Sequence, residues 1–516
     1  MNGAELVIKT ALAAGIEICF ANVGTTEIPL VAALDTTPGI RAVLGLHEGV
    51  CTGAADGYGR MLGRPAMTIL HLGPGLANGI SNLHNARRAH TPILNLTGEH
   101  ASWHRSADPP LRMDIEALAG TVSGWQRTCE SVADLSRDTA EAVAAAMRGK
   151  IAQLILPHDL QWSECTDETI RTPAFSFDPL DDAAIEAAAR LLRTDAKSLI
   201  LLGGGALSRR GTHAAARIRA ATGCDLVSET FPSHMERGAG IPALDRFPYF
   251  PEHAAALLSK YQVVVLAGTN EPVAFFGYKG MISRLLTEKQ QTCSIGAPGE
   301  KVWDALEHLA DAVGADSTAV DPTPTLTPLR HELPTGALNR EKVGMILAAL
   351  QPENAIVVDE SVTSGMAYYS LAAIAAPHSL LTLTGGSLGM GMPCAVGAAL
   401  ACPDRQVISF QADGSAMYTL QALWTQAREG LDITTLICSN RSYDILKLEL
   451  MRAGNVPLGQ KALGLTDLKN PSIDWVKIGQ GMGVPAVSVD TAEQLAKELA
   501  AGLSEGGPHL IEMVLT

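Results

Sequence analysis

The stretch VISFQADGSAMYTLQALWTQAREGLDITTLICSNRSYDILKLEL, at residues 407–450, decides the fold of this chain. It begins with an apolar run at 407–412 that predicts a buried strand, and a helical pattern leads from there to a second apolar run at 433–438. Polar residues follow both runs, DGS at 413–415 and SNRSY at 439–443. A strand, a helix and a second strand in this order are typical of a βαβ unit, so the stretch predicts a parallel sheet.

The same alternation of short apolar runs and longer helical patterns fills the rest of the chain. Further buried strands are predicted at 65–72, 92–97, 198–202, 263–267 and 355–358, and helices at 181–194 and 492–503. A chain of 516 residues is too long for a single core, and stretches rich in proline, threonine or acidic residues at 166–182 and 315–336 have linker composition. We therefore expect an α/β fold of three doubly wound parallel-sheet domains, at 1–165, 183–315 and 337–516.

Composition and charge narrow the classes of function. Hydrophobic residues make up 47% of the chain and charged residues 18%, which suits a well-buried globular protein. A formal net charge of -15 argues against binding to nucleic acid or to an anionic membrane surface. No secretory signal and no apolar stretch of about twenty residues is visible, so we expect no membrane span. Nine scattered cysteines without CxxC spacing indicate the reduced thiols of a cytoplasmic protein.

Asp413 and Asn440 stand at the carboxyl ends of two predicted strands, where open parallel sheets bind their ligands. A carboxylate and an amide oxygen are ligands that Mg²⁺ or Ca²⁺ accepts when diphosphate oxygens and water complete the coordination shell. Gly414 lets the backbone approach closely, and Ser415 with the following helix offers donors to phosphate. Asp-Gly and Asn are also common turn residues, so either position alone is weak, but their joint placement predicts a site for metal and diphosphate.

This segment resembles the thiamine diphosphate motif, a GDG triplet followed downstream by a pair of asparagines. Ala412 replaces the first glycine of that motif and Ser439 replaces its first asparagine. Neither difference touches the metal ligands, which are Asp413 and Asn440 here. In the family the third protein ligand is a backbone carbonyl two residues beyond the asparagine, which belongs to Ser442 in this chain. The resemblance therefore implies thiamine diphosphate as cofactor, with Mg²⁺ or Ca²⁺ held by these three ligands.

Residues 44–60, LGLHEGVCTGAADGYGR, resemble a motif shared by the decarboxylases and acetolactate synthases of the same family. From the residues alone, Glu48 is a carboxylate at a strand-to-helix junction, where it favours the helix dipole. The resemblance makes Glu48 the catalytic carboxyl that hydrogen-bonds N1′ of the cofactor's aminopyrimidine. The proton exchanged there converts the 4′-amino group into the base that deprotonates C2 of the thiazolium ring.

The loop GGSLGMGMP at 385–393 precedes the predicted metal-binding strand. In the family an equivalent loop grips the aminopyrimidine. The resemblance makes Leu388 the apolar wedge between the two cofactor rings, and it makes the Gly386 carbonyl the acceptor from the 4′-amino group. A loop rich in glycine and methionine is equally typical of plain close packing. Further cofactor contacts implied by the resemblance are Thr25, Glu360, Ser361 and Tyr443.

Two branches of the family compete for the substrate assignment. The GPG turn at 73–75 and the triple glycine at 203–205 resemble the acetolactate synthases. His71 follows a predicted strand as a catalytic histidine does in benzoylformate decarboxylases, and Thr25 lies where that branch has an active-site serine. Glu99 stands where the synthases have a glutamine, so the chain departs from the synthase pattern. Gly277 lies near the place of a second histidine in the decarboxylases, so it departs from that pattern as well.

The leading hypothesis is a decarboxylase and carboligase of the acetolactate synthase kind. A small, pyruvate-like 2-oxo acid loses carbon dioxide, and a second carbonyl captures the resulting enamine. The alternative is simple, non-oxidative decarboxylation of the benzoylformate decarboxylase kind. A hypothesis of another class is a non-catalytic regulatory paralogue, which the departures at Ala412, Ser439 and Glu99 favour and which retention of Glu48 disfavours.

The resemblance also bears on assembly and on a second cofactor. Because Glu48 and Asp413 belong to different domains, it implies active sites at the interface of a homodimer or homotetramer. The glycines at 203–205 raise the alternative of FAD in the central domain, but they lack the GxGxxG pattern, so close packing is favoured.

Overall fold

The N-terminal part of the chain alternates helices and strands. It forms α1 (Gly3–Ala13), β1 (Ile18–Asn22), α2 (Ile28–Thr36), β2 (Arg41–Leu44), α3 (Glu48–Leu62), β3 (Ala66–Leu70), α4 (Leu72–Arg88), β4 (Ile93–Glu99), α5 (Ile115–Gly120), β5 (Trp125–Thr128), α6 (Leu135–Ala146), β6 (Ile151–Pro157) and α7 (His158–Trp162). The six strands make a parallel sheet in the order β2-β1-β3-β4-β6-β5. β3, β4 and β6 are buried along their whole length, which is why unbroken apolar runs mark them in the sequence.

The central part follows the same plan. It forms α8 (Asp182–Leu192), β7 (Ser198–Leu202), α9 (Arg209–Thr222), β8 (Asp225–Ser228), β9 (Met235–Arg237), β10 (Asp245–Arg246), α10 (Pro251–Leu258), β11 (Val263–Ala267), β12 (Gln291–Ile295) and α11 (Val302–Ala312). Five of these strands make a parallel sheet in the order β10-β8-β7-β11-β12. Ile200 and Val265 pack into one apolar cluster, while Leu199 and Val264 pack into another, so both faces of the sheet are covered.

The C-terminal part contains the stretch at 407–450. It forms α12 (Arg340–Leu350), β13 (Ile356–Glu360), α13 (Met366–Leu371), β14 (His378–Thr382), α14 (Gly391–Ala401), β15 (Val407–Ala412), α15 (Asp413–Ala416), α16 (Ala422–Glu429), β16 (Ile433–Ser439), α17 (Asp444–Arg452), α18 (Gln460–Gly464), α19 (Trp475–Gly481), β17 (Ala486–Val489), α20 (Ala492–Glu505) and β18 (His509–Val514). Its parallel strands run in the order β17-β18-β16-β15-β13.

These elements come from a computed structural model. It describes residues 1–166, 169–316, 332–452 and 459–516. The described residues divide into two compact units. The larger lies within Met1–Phe175, Arg330–Leu371 and Leu383–Thr516, and the smaller within Ser176–Leu329 and Ala372–Thr382. In the smaller unit β14 pairs antiparallel with β9.

The predicted fold class is confirmed, because each part of the chain is built on a parallel sheet with helices between its strands. The boundaries 1–165, 183–315 and 337–516 stay a prediction. Residues 167–168 of the first predicted linker and 317–331 of the second lie outside the described residues. No helix in the described part of the chain is both long and apolar enough to cross a bilayer. All nine cysteines are described, and all are free thiols.

The two helices that carry the predicted cofactor motifs pack backbone to backbone within the larger unit. A Cβ atom on Gly57 of α3 would lie 2.0 Å from the carbonyl oxygen of Cys394 in α14. A Cβ on Gly397 of α14 would lie 1.8 Å from the carbonyl oxygen of Ala54 in α3. Only glycine permits this approach. The glycine-rich motif of α3 therefore fixes the start of that helix, and with it Glu48, against α14 and the loop before it.

Candidate active site

Glu48 begins α3, just beyond the carboxyl end of β2. His47 caps the helix by accepting a hydrogen bond from the Gly49 N–H at 3.0 Å. The Glu48 carboxylate is 8% exposed and accepts a hydrogen bond from Asn78 Nδ2 at 3.0 Å. A Cβ atom on Gly75 would lie 3.1 Å from Glu48 Oε1, so the glycine in the GPG turn leaves room for this carboxylate. The start of α4 thus shapes the pocket around Glu48.

His71 lies at the carboxyl end of β3 and precedes α4. A Cβ added at Gly75 would also lie 3.3 Å from the Cβ of His71. The same glycine therefore separates His71 from Glu48. The structure brings these two predicted catalytic residues to one edge of the N-terminal sheet. His71 Nδ1 lies 2.7 Å from Oε2 of Glu27, a contact that sequence reasoning missed. Thr25 is exposed and begins the short 3₁₀ turn that ends at Glu27.

Glu99 and His100 follow at the end of β4, on the same edge of the sheet. The Glu99 carboxylate is 7% exposed, and its Oε1 accepts a hydrogen bond from the His100 N–H at 2.6 Å. Burial lowers the pKa of His100, and the neighbouring His104 and His71 lower it further, while Glu99 opposes them. His100 is a second histidine close to His71, and no local motif in the sequence marked it.

Asp413 lies at the carboxyl end of β15, and Asn440 follows the neighbouring strand β16. The Asp413 carboxylate is 2% exposed. Its two oxygens accept hydrogen bonds from the Gly414 N–H at 2.8 Å and the Arg441 N–H at 2.6 Å. Burial raises the pKa of Asp413 to about 6, against the lowering effect of these two donors. The backbone of Arg441 is left-handed, with φ 56°, and this turn aims its N–H at the carboxylate.

Asn440, Ser442 and Tyr443 line the same turn. Asn440 Oδ1 accepts a hydrogen bond from the Ser442 N–H at 3.0 Å, and its Nδ2 donates to Asp444 at 3.3 Å. The Ser442 hydroxyl donates to the carbonyl of Thr466 at 3.2 Å. A Cβ on Gly414 would lie 2.4 Å from the ring of Tyr443, which therefore packs directly over this glycine. The predicted ligands Asp413, Asn440 and Ser442 are thus gathered at one strand edge.

Glu360 is bonded to the backbone of the loop before α14. Its carboxylate, 2% exposed at the end of β13, accepts hydrogen bonds from three successive N–H groups. These are Gly389 at 2.6 Å, Met390 at 3.3 Å and Gly391 at 2.7 Å. Burial raises the pKa of Glu360 to about 7, although these donors oppose the shift. Glu360 therefore anchors the loop that leads into α14.

Ser415 and Ser361 lie beside this anchor. The Ser415 hydroxyl donates to the Glu360 carbonyl at 3.2 Å, which ties the start of α15 to the end of β13. Ser361 is 1% exposed, and its N–H donates to Asp359 Oδ1 at 3.0 Å. Ser415 is thus held by the end of the neighbouring strand, and Ser361 by the end of its own.

The loop 385–391 is also held from the N-terminal part of the larger unit. Asn82 on α4 donates to the Gly49 carbonyl at 2.8 Å and to the Gly389 carbonyl at 3.1 Å. Asn85 donates to the Ser387 carbonyl at 2.7 Å. Leu388 lies between these two fixed points and is partly exposed, while Gly386, with φ 73°, precedes them and is exposed. Sequence reasoning missed both asparagines, because their partners are about 300 residues away in the chain.

Comparison with known proteins bears directly on this arrangement. Residues 1–119 match the family model described as thiamine pyrophosphate enzyme, N-terminal TPP binding domain, and residues 362–513 match the corresponding C-terminal TPP binding domain. Over 100% of its length the chain is 49% identical to the "Putative acetolactate synthase large subunit IlvX" of Mycobacterium tuberculosis, of which it covers 99%. The chain belongs to the family of thiamine diphosphate-dependent enzymes.

More distant relatives within the family extend the comparison. A benzoylformate decarboxylase of Pseudomonas aeruginosa is 27% identical over 97% of this chain and 96% of its own length. The solved structure of the thiamine diphosphate-dependent 4-hydroxybenzoylformate decarboxylase of Rhodococcus jostii RHA1 superposes with a TM-score of 0.86 at 24% identity, over 100% of this chain and 99% of that one. This second likeness shows that the two proteins share a fold.

The residues at the C-terminal strand edge fit a metal ion and a diphosphate. Among the described residues no cluster of three or more His, Cys, Asp or Glu side chains could hold a metal, so a bound ion would need amide and carbonyl oxygens as well. Asp413 and Asn440 offer that mixture of oxygens. The buried Asp413 carboxylate has only backbone N–H partners in the described structure, and a divalent cation would neutralise its charge.

The central part does not fit a flavin. The Gly204 N–H, which a dinucleotide site would direct at pyrophosphate, donates instead to Glu229 Oε1 at 3.1 Å. Burial raises the pKa of Glu229 to about 7. A Cβ on Gly268 would lie 2.5 Å from the Gly203 carbonyl oxygen, so the glycine loop packs closely against the neighbouring strand end. A carboxylate occupies the anion position, so these residues do not fit FAD.

Proposed function

We propose that this enzyme uses thiamine diphosphate and Mg²⁺, or Ca²⁺, to remove carbon dioxide from a small 2-oxo acid and to join the remaining acyl unit to a second carbonyl, as an acetolactate synthase does. The observation that carries the proposal is the pair of strand edges: one gathers Glu48 and His71, and the other gathers Asp413 and Asn440. The relative with 49% identity, named as an acetolactate synthase subunit, supports the choice of carboligation.

The surroundings of each site residue suit a particular role in the reaction. When bound, thiamine diphosphate supplies a carbon nucleophile and an electron sink. Glu48, oriented by Asn78, would hold a proton at N1′ of the pyrimidine ring. The Asp413 carboxylate and the amide oxygen of Asn440 would hold the metal beside the diphosphate. His71 would move a proton at the substrate, and the loop anchored by Glu360 would support the pyrimidine through Gly386 and Leu388.

A second candidate function is non-oxidative decarboxylation, of the kind named for the relative in Pseudomonas aeruginosa. The observation that favours it is the contact of His71 with a buried carboxylate, because a histidine fixed in this way suits protonation of a released aldehyde. A purely regulatory role is disfavoured, since a chain that only binds has no need of Glu48 beside the cofactor.

The proposal includes a homodimer or homotetramer with the active site between two chains. Large apolar side chains next to the predicted site residues are solvent-exposed in the single chain, although apolar surface of this kind is normally covered by a partner. They are Ile28, Leu46, Val362, Met366, Met417 and Tyr418, at 55%, 43%, 37%, 67%, 40% and 54% exposure. They flank Glu27, Glu48, Ser361 and Ser415, so a second copy that covers them would close both halves of a site. Nine free thiols support a cytoplasmic location.

Product analysis tests the reaction. The purified protein is incubated with thiamine diphosphate, Mg²⁺ and either pyruvate or benzoylformate, and carbon dioxide and organic products are measured in the same tube. We expect carbon dioxide and acetolactate from pyruvate. Free aldehyde without ligation would support the decarboxylase candidate. If the protein binds the cofactor but releases no carbon dioxide from any small 2-oxo acid, the proposed function is wrong.

A further inference from the structure

Glu27 is a fully buried carboxylate for which the predicted chemistry has no use. It is 0% exposed and lies in the 3₁₀ turn after β1. Its Oε1 accepts a hydrogen bond from the Thr26 hydroxyl, and its Oε2 accepts one from the Gly24 N–H at 3.0 Å. A Cβ on Gly98 would lie 1.8 Å from Oε1, so the backbone of β4 makes space for this side chain.

The third partner of Glu27 is His71, whose Nδ1 lies 2.7 Å from Oε2. Both Glu27 oxygens already accept hydrogen bonds, from Thr26 and from Gly24, so the carboxylate meets the ring as an acceptor too. It therefore binds the ring with the proton on Nδ1 and leaves Nε2 as the nitrogen that can exchange a proton elsewhere. The ring cannot easily turn away from this contact. A Cβ on Gly24 would lie 2.2 Å from Nδ1, so the turn backbone lies against one side of the ring.

His71 borders the candidate active site, so its Nε2 can exchange a proton there. Its side chain is 23% exposed, and Gly75 separates it from the carboxylate of Glu48. His158 also interacts electrostatically with Glu27, but burial lowers the pKa of His158, and the described structure gives the two side chains no hydrogen bond. Glu27 is therefore bonded to the histidine that borders the candidate active site.

We infer that Glu27 is a positioning residue for the reaction: it holds His71 in the Nδ1–H tautomer, so that Nε2 can take up or deliver a proton at the substrate. Its importance for catalysis rests on the proposed function. The expected tautomer does not depend on the proposed function, so the tautomer and the role in catalysis can be tested separately. Glu27 itself transfers no proton to the substrate.

Nitrogen NMR of histidine-labelled protein tests the tautomer directly. The resonance of His71 is identified by its loss in His71→Gln, and spectra are recorded at a pH where the ring is neutral. We expect wild-type His71 to show Nδ1–H, Glu27→Asp to keep most of that form, and Glu27→Gln to give a mixture, because an amide can also donate to the ring. A neutral Nε2–H ring in the wild-type protein would overturn the inference, whatever the variants do.

Kinetics then test the role in turnover. General acid–base catalysis contributes roughly 100- to 10,000-fold, and we expect Glu27→Gln to lose about 10- to 100-fold in kcat with KM nearly unchanged. In a His71→Gln background the same substitution should add no further loss. Thr26→Val is the matched control: it removes the hydroxyl that donates to Glu27 and lies 3.4 Å from His71 Nδ1, but it leaves the carboxylate beside Nδ1. It should lose much less in kcat than Glu27→Gln. Additive losses would contradict positioning, whereas an inactive wild-type protein with the expected tautomer would overturn only the proposed function.

Discussion

Replacing Glu48 by glutamine should lower kcat for carbon dioxide release by about 1,000-fold, within the range general acid–base catalysis supplies. Glutamine keeps the size of the side chain and an oxygen that accepts from Asn78 Nδ2. It cannot exchange a proton with the pyrimidine ring. Steady-state kinetics give the loss in kcat, and titration calorimetry should show an affinity for thiamine diphosphate within about threefold of wild type.

Asn78→Ala is the matched control for Glu48→Gln. It removes the hydrogen bond that orients the Glu48 carboxylate but leaves the ionisable group in place. Its loss in kcat should therefore be about tenfold, well below the loss in Glu48→Gln. If Glu48→Gln turns over at the wild-type rate, Glu48 is not the catalytic carboxyl.

Asp413→Asn should weaken binding of Mg²⁺ and thiamine diphosphate together, by about 100-fold or more. The anionic ligand disappears, and an amide nitrogen now faces one of the two backbone N–H groups that the carboxylate accepts from. In the wild-type protein, cofactor and metal added together should raise Tm, because ligands that bind only the folded state stabilise it. In Asp413→Asn that rise should be lost at the same ligand concentrations.

A second aspartate, just before the same strand, separates this effect from a general loss of charge. Asp404 is exposed and precedes β15 at the opposite end of the strand from Asp413. Asp404→Asn should bind metal and cofactor as the wild-type protein does. Wild-type affinity in Asp413→Asn would mean that the diphosphate anchor lies elsewhere.

The sequence was enough to predict the features that depend on residues close together in the chain. The βαβ unit at 407–450 could be predicted because its strands are apolar runs and its polar residues come directly after them. Asp413 and Asn440 could be placed together for the same reason, since neighbouring parallel strands end at one edge. The roles assigned to them stay predictions, which the substitutions above test.

Contacts between distant segments were not predictable in this way. Asn82 and Asn85 lie inside an ordinary helix, and only the packing of α4 against the loop 385–391 reveals what they hold. From the sequence, Glu27 is an ordinary residue of a short turn. Nothing near it indicates its partner His71, which is 44 residues further on. The Glu360 carboxylate accepts hydrogen bonds from three backbone N–H groups about 30 residues further on, and no local pattern indicated them. Side-chain roles of this kind depend on tertiary packing, which one sequence does not display.

We propose that Glu48 and Asp413 serve one cofactor, each from a different chain. Mixing two inactive variants, Glu48→Gln and Asp413→Asn, tests it most directly. The two substitutions change the mass by the same amount, so one variant is labelled with ¹⁵N to let native mass spectrometry confirm that mixed dimers have formed. In a mixed dimer one site carries both substitutions and the other carries neither, so an equal mixture should regain about one quarter of wild-type activity. No recovery in a mixture shown to contain mixed dimers would contradict the account.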